Sequence, residues 1–152
     1  MFLAENFDMN YIDENGEKAR PLIIHRSSIG CYERTLAMLI EKYNGAFPMW
    51  LAPEQVRVLS LTDRTASEAK AVAKELVAAG LRAEADVRRE KLGKKIREAQ
   101  LEKVPYVLVI GDKEAEDGVV AVRHRAEGDL GVMTAAEFLA MARAEIDSKA
   151  RK

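Results

Sequence analysis

Five consecutive apolar residues, Tyr106-Val107-Leu108-Val109-Ile110, stand between Pro105 and Gly111. A strand with one wet face would alternate polar and apolar residues, so an unbroken run closed by two breakers reads as a strand covered on both sides. That predicts a central strand with material packed above and below it. The segments around it fit such a sheet. Val56, Val58 and the apolar residues to Leu61 read as a strand, and Thr65 with Glu68 has the spacing of a capping box for a helix running through Ala79 to a stop at Gly80. Leu81, Ala83, Ala85 and Val87 alternate with Arg82, Glu84 and Asp86, the period-two signature of a half-buried strand. A second helix is expected from about Gly93 to Lys103. Past the central strand come a turn at Asp112 to Gly118, a strand from Val119 to Arg125 and a shorter one near Leu130 to Met133. Thr134 and Glu137 repeat the capping-box spacing and open a last helix through Phe138, Met141, Ala142 and Ile146.

From Pro53 onward the order is therefore β-α-β-α-β-β-β-α. Strand-helix-strand connections are nearly always right-handed and place their strands parallel in one sheet. The expected fold is α/β: a mixed, mainly parallel, five-stranded sheet flanked by three helices. What precedes it has another character. Tyr11-Ile12, the turn Asp13-Glu14-Asn15-Gly16, and Pro21 to Ile24 read as a hairpin feeding a strand. Tyr32, Leu36, Leu39 and Tyr43 recur at helical spacing up to Asn44-Gly45, which suits a left-handed stop. The proline-marked stretch Phe47 to Pro53 separates the two patterns, so domains are expected over residues 1–47 and 48–152.

Apolar residues make up 48% of the 152 and charged ones 32%, enough to bury one core and keep a hydrated surface. The lone Cys31 excludes an intrachain disulfide and fits a reducing cytoplasm. No basic leader and no membrane-length apolar run is visible, so no membrane partner is expected. A net charge of −1 gives no whole-molecule attraction to nucleic acid.

Local charge is more informative. Arg88, Arg89, Lys91, Lys94, Lys95, Arg97 and Lys103 outnumber Glu90, Glu98 and Glu102 by seven to three, a local excess of +4 at the start of a helix that follows a strand. Open α/β sheets bind ligands beyond the carboxyl ends of their strands, and helix N-termini attract phosphate. The alternative, a solvated helix face laced with ion pairs, is favoured by composition alone. Arg123 and Arg125 share a strand face with Ala121, opposite Val120, Val122 and His124. Two guanidinium forks there can meet phosphates or base edges, or form an ordinary polar face. Glu114 can accept from a base or cap local amides. His25 and His124 lack nearby ligand or general-base partners, and no P-loop, Gly-x-Ser-x-Gly or Gly-x-Gly-x-x-Gly is present.

Three long words carry a resemblance: HRSSIGCYERTLAMLIEKYNGAFPMWLAPEQVRVL, EKLGKKIREAQLEKVPYVLVIGDKE and VAVRHR. In order and interval they closely resemble the carboxyl-terminal part of bacterial threonyl-tRNA synthetases, over nearly the whole chain. The resemblance implies that residues 1–47 are a remnant of an antiparallel class II catalytic domain, with Gly30 to Arg34 as its motif 3 and Arg34 as the ATP-phosphate arginine. His25 would be one of three zinc ligands, the other two lying in sequence this chain lacks, so no tight zinc site is expected here. Motifs 1 and 2 are also absent, so the chain by itself is expected not to aminoacylate; ATP and zinc belong to the full-length family.

The remainder is implied to be an anticodon-binding domain whose partner is threonine tRNA, with no DNA partner. Threonine anticodons end in G-U, and Glu114 and Arg123 match family base-contacting positions. Lys103 stands where some members carry arginine, which would turn a bidentate contact into a point charge. Arg89 stands where others carry asparagine. Lys94, Lys95, Arg97 and Arg125 are expected to neutralise phosphates. The full-length family is homodimeric, whereas this chain is expected to be monomeric. The competing readings are a free-standing anticodon-binding-like paralogue acting as a regulatory or accessory module, and an unrelated α/β enzyme, for which no catalytic constellation is visible.

Overall fold

The computed structural model describes residues 3–24 and 30–150, and the chain divides into two units, residues 1–37 and 38–152. The first holds a short helix α1 (Leu3–Asn6) and a two-stranded hairpin, β1 (Tyr11–Ile12) antiparallel to β2 (Lys18–Ala19), with Tyr11 opposite Ala19. Its turn is organised by Asp13, whose carboxylate accepts from the amides of Asn15 (2.8 Å) and Glu17 (2.9 Å). The hydrogen bond from the Glu17 amide, more than any other influence, holds the Asp13 carboxyl below its ordinary range. The strand expected over Pro21 to Ile24 is absent: those residues have no regular structure. Pairing stops at Ala19, and Pro21 has no N–H with which to extend the ladder. The candidate zinc ligand His25 lies outside the described residues. Helix α2 (Tyr32–Tyr43) ends as its sequence demands, with Asn44 and Gly45 at φ of 50° and 71° and the Gly45 amide donating to the Ile40 carbonyl at 2.9 Å.

The second unit is organised around the unbroken apolar run. Its strands are β3 (Val56–Ser60), β4 (Ala83–Asp86), β5 (Tyr106–Ile110), β6 (Val119–His124) and β7 (Gly128–Thr134), in the order β4-β3-β5-β6-β7. Strand β5 is central, as expected, parallel to β3 on one side and antiparallel to β6 on the other. Helices α3 (Ala66–Ala78), α4 (Leu92–Leu101) and α6 (Ala135–Ser148) flank the sheet. One face carries Val56, Val58, Tyr106, Leu108, Ile110, Val120 and Val122, and packs on Ala69, Ala73 and Leu76 of α3 and Phe138 and Ala142 of α6. The Phe138 ring meets Tyr106 edge-on, with centroids 5.4 Å apart. On the other face Leu59 and Val107 pack with Ala99, Val104, Leu92 and Ile96 in a smaller cluster provided by α4 and the turn after it.

Three local expectations change. Residues 112–117 form a short helix α5 rather than a turn: Asp112 and Glu114 suit a helix N-terminus, and Gly118, at φ 67°, closes it. Thr65 does not cap α3 through its side chain. Its buried hydroxyl instead donates to the Ile110 carbonyl at 3.0 Å, behind a 3-10 turn over Asp63–Thr65. Strand β7 runs longer than its few alternating apolar residues indicated, with a register shift near Val122/Arg123. The second capping box forms as read, the Thr134 hydroxyl accepting from the Glu137 amide at 3.2 Å and the Glu137 carboxylate from the Thr134 amide at 2.8 Å.

Candidate nucleic-acid interface

Helix α4 packs over β3 and β5, so the β6–β7 half of the same sheet face is left open. Ala121 and Arg123 are half-buried there, and Val132, paired with Ala121, is 59% exposed. Strand alternation puts Val107 and Val109 of β5 on this side, with Gly111, still extended, one residue past the end of the strand, and Arg123 pairs with Val107. None of the ion pairs or side-chain hydrogen bonds among the described residues involves the Arg123 guanidinium.

Glu114 reaches the same face from α5. Its carboxylate accepts the Gly111 amide at 3.0 Å, and a Cβ built on Gly111 would lie 2.6 Å from Glu114 Oε2. The carboxylate thus occupies the space that any larger residue at 111 would fill. Oε2 is held by the backbone and Oε1 remains for a ligand. From Val107 to Gly111 is four strand steps, about 13 Å at some 3.3 Å per residue. Glu114 and Arg123 therefore share one face but stand at opposite ends of it, with Ala121 and Val132 as an apolar floor between them and Val109 at its edge beside α4. Such a strip can take flat rings on its floor and read their edges with an acceptor at one end and a forked donor at the other.

The basic segment is largely neutralised. Arg88 pairs with Asp86 and Glu98, each at 2.6 Å; Lys94 pairs with Glu90 at 2.7 Å; Arg89 pairs with Asp63 at 3.0 Å, both side chains remaining exposed. Arg97 is exposed and has no ion pair among the described residues. Lys95 departs from its expected role as a phosphate contact. It is 1% exposed, and its ammonium donates to the carbonyls of Ser60 (3.0 Å) and Asp86 (3.1 Å), with the Asp86 carboxylate 3.9 Å away. It ties together the carboxyl ends of β3 and β4 and faces no solvent. The Arg88 hydrogen bonds, outweighing burial and aided by Lys95, hold the Asp86 carboxyl below its usual range.

Arg125 also departs from expectation. Its half-buried guanidinium donates to the carbonyls of Lys103 (2.8 Å) and Phe47 (2.8 Å), and desolvation pulls it below its ordinary value. Lys103 has left-handed backbone at φ 60° and directs its ammonium to the Asn44 carbonyl. Arg34 is exposed on the first turn of α2, and among the described residues no three His, Cys, Asp or Glu side chains are grouped to hold a metal.

Sequence reasoning missed the surroundings of Arg123. A cavity of about 120 Å³ beside it is lined by Ile96, Gln100, Val107, Arg125 and Gly128 among others. Gln100 and Gly128 carry no local signature, because it is packing between α4 and the β6–β7 turn that brings them together. Gly111 could have been noticed: it stands three residues before Glu114, the spacing at which a helix's third residue reaches back to the preceding amide.

Residues 55–145 match the family described as "Anticodon binding domain". A threonine–tRNA ligase of Clostridium botulinum (strain Eklund 17B / Type B) is 58% identical over 149 residues, 98% of this chain and 23% of that protein. One from Clostridium perfringens (strain SM101 / Type A) is 61% identical over 137 residues, 90% of this chain and 21% of that one. The crystal structure of the RNA binding domain of threonyl-tRNA synthetase from Cryptosporidium parvum Iowa II superposes with a TM-score of 0.73 at 34% identity, covering 94% of this chain and 36% of that one. The chain thus spans less than a quarter of those curated relatives. With its mixed five-stranded sheet and its half-open face, it belongs to the anticodon binding domain family, in the form found in threonyl-tRNA synthetases.

Proposed function

We propose that this chain recognises the anticodon of a threonine tRNA, one ending in G-U, and serves as the RNA-reading part of a threonine–tRNA ligase. The observation that carries this reading is the open strip between Glu114 and Arg123. It offers an apolar floor, a carboxylate preset by the Gly111 amide and a guanidinium with no ion-pair partner among the described residues. Unstacked loop bases lie on such a floor, and their edges distinguish them: the Arg123 fork donates to ring nitrogen and carbonyl acceptors, while Glu114 Oε1 accepts from imino or amino hydrogens. Exposed Arg97, and Arg89 with Lys94 from their solvent-exposed pairs, supply sequence-independent attraction to phosphates. Aminoacylation, with its ATP, belongs in this reading to the longer ligase.

The deciding experiment is a titration of this chain with a threonine tRNA and with the same tRNA carrying a changed middle anticodon base, at one stated salt concentration. Discrimination of about 1 to 3 kcal/mol per altered base is expected. Equal affinity for both RNAs refutes base reading on this face.

A further inference from the structure

The carbonyls of Asn44, Ala46 and Phe47, in the segment leading out of α2, all accept hydrogen bonds from two cations that lie further along the second unit. Lys103 donates to Asn44; Arg125 donates to Phe47 at 2.8 Å and to Ala46 at 3.4 Å, while its other terminal nitrogen holds the Lys103 carbonyl at 2.8 Å. Neither cation has an ion pair among the described residues. Lys103 lies in the turn between α4 and β5 and Arg125 one residue past the end of β6, and the Arg125 amide donates to the Pro105 carbonyl at 2.9 Å, closing that corner. Lys103 has left-handed backbone because it closes α4, its amide donating to the Gln100 carbonyl at 3.1 Å and the Val104 amide to the Ala99 carbonyl at 3.0 Å, and from that position its ammonium meets Asn44. Arg125 also lines the 120 Å³ cavity that Arg123 lines.

We propose that Arg125, with Lys103, is a positioning latch that fixes the backbone of residues 44–47 to the sheet of the RNA-reading unit, and that a base entering the Arg123 cavity is felt by that segment through Arg125. The planar guanidinium presents one terminal nitrogen to Ala46 and Phe47 and the other to Lys103 in a fixed fork, whereas a lysine at 125 would offer a single nitrogen on a flexible stem. A ring in the cavity orders the side chain that forms its wall, and with it the carbonyls that side chain holds. The coupling is reciprocal: a segment already fixed lowers the cost of ordering Arg125 when RNA arrives. The latch stands on the unliganded geometry alone, whereas its coupling to RNA rests on the anticodon reading given above.

The test is amide hydrogen exchange on the 152-residue chain, first without RNA. Arg125→Met raises exchange of the amides of residues 44–52 roughly tenfold, and Arg125→Lys raises it less, while amides of β3 and β5 keep their rates in both variants. No change over 44–52, or a rise shared equally by β3 and β5 in both variants, overturns the latch. With a threonine anticodon stem-loop bound, exchange over 44–52 slows roughly threefold in the unaltered chain and not in Arg125→Met. Bound RNA that leaves those amides unchanged in the unaltered chain overturns the coupling. RNA that fails to bind overturns the anticodon reading and with it the coupling, while the latch is judged by the first arm.

Discussion

Replacing Lys95 with methionine separates a role in stability from a role in RNA binding. Methionine is unbranched, comparable in length and well suited to a buried slot, so the change removes the ammonium without opening a large cavity. Two carbonyls, of Ser60 at 3.0 Å and Asp86 at 3.1 Å, lose a charged donor in a place water does not reach, and the Asp86 carboxylate loses a cation at 3.9 Å. Charge-assisted hydrogen bonds contribute about 1.5 to 3 kcal/mol each, so the gross loss is roughly 3 to 6 kcal/mol. The variant no longer has to desolvate an ammonium, which offsets part of that, leaving a net destabilisation of about 2 to 4 kcal/mol. In urea, with a slope of about 2 kcal/mol per M, the unfolding midpoint falls by about 1 to 2 M. At temperatures where the variant stays folded, the salt dependence of tRNA binding is unchanged, because the ammonium faces no phosphate. A midpoint within about 0.3 M of the parent, together with a salt slope shallower by about one, would refute this reasoning and return Lys95 to the RNA surface.

Arg123→Ala is expected to weaken binding of a threonine tRNA by about 1 to 3 kcal/mol and to reduce discrimination against a changed anticodon base; equal loss for every RNA in a filter-binding comparison would make Arg123 a backbone contact only. Gly111→Ala places a methyl group where Glu114 Oε2 lies, 2.6 Å from the ideal Cβ position, and near Leu61 Cδ2 at 3.1 Å. The carboxylate swings off the Gly111 amide, so base discrimination falls as it does in Glu114→Gln, and matching affinities for the two variants across anticodon-swapped tRNAs would bear this out. Asp86 is held below its ordinary range in the fold, chiefly by Arg88, so it contributes stability that is present above the unfolded-state value near 3.9 and is lost as pH falls through the lower folded one. Urea midpoints measured from about pH 7 to pH 3 should therefore drop less steeply on the acid side in Asp86→Asn than in the parent.

Elements whose cause is local were legible before any fold was known. Pro105 and Gly111 bracket an apolar run short enough to read as a covered strand; Thr134 and Glu137 satisfy each other's amides within one turn; Asn44-Gly45 supplies a left-handed stop. Helix α5 was not legible, because six residues cannot display a helical period. The candidate site divides along the same line. Lys94 and Lys95 are adjacent lysines of one helix, yet the roughly 100° between successive helical residues turns one toward Glu90 and solvent and the other under the ends of β3 and β4. Arg123 and Arg125 share a strand face by period, but β6 ends at His124, and beyond it the chain carries Arg125 down to the carbonyls of Phe47 and Lys103. Thr65 has the spacing of a helix cap and instead bonds to Ile110, 45 residues away. Periodicity and capping depend on neighbours within a few residues and so can be read along the chain. Which cations stay available to a ligand depends on carbonyls and carboxylates delivered from distant segments, and those meet only once the sheet and its helices have packed.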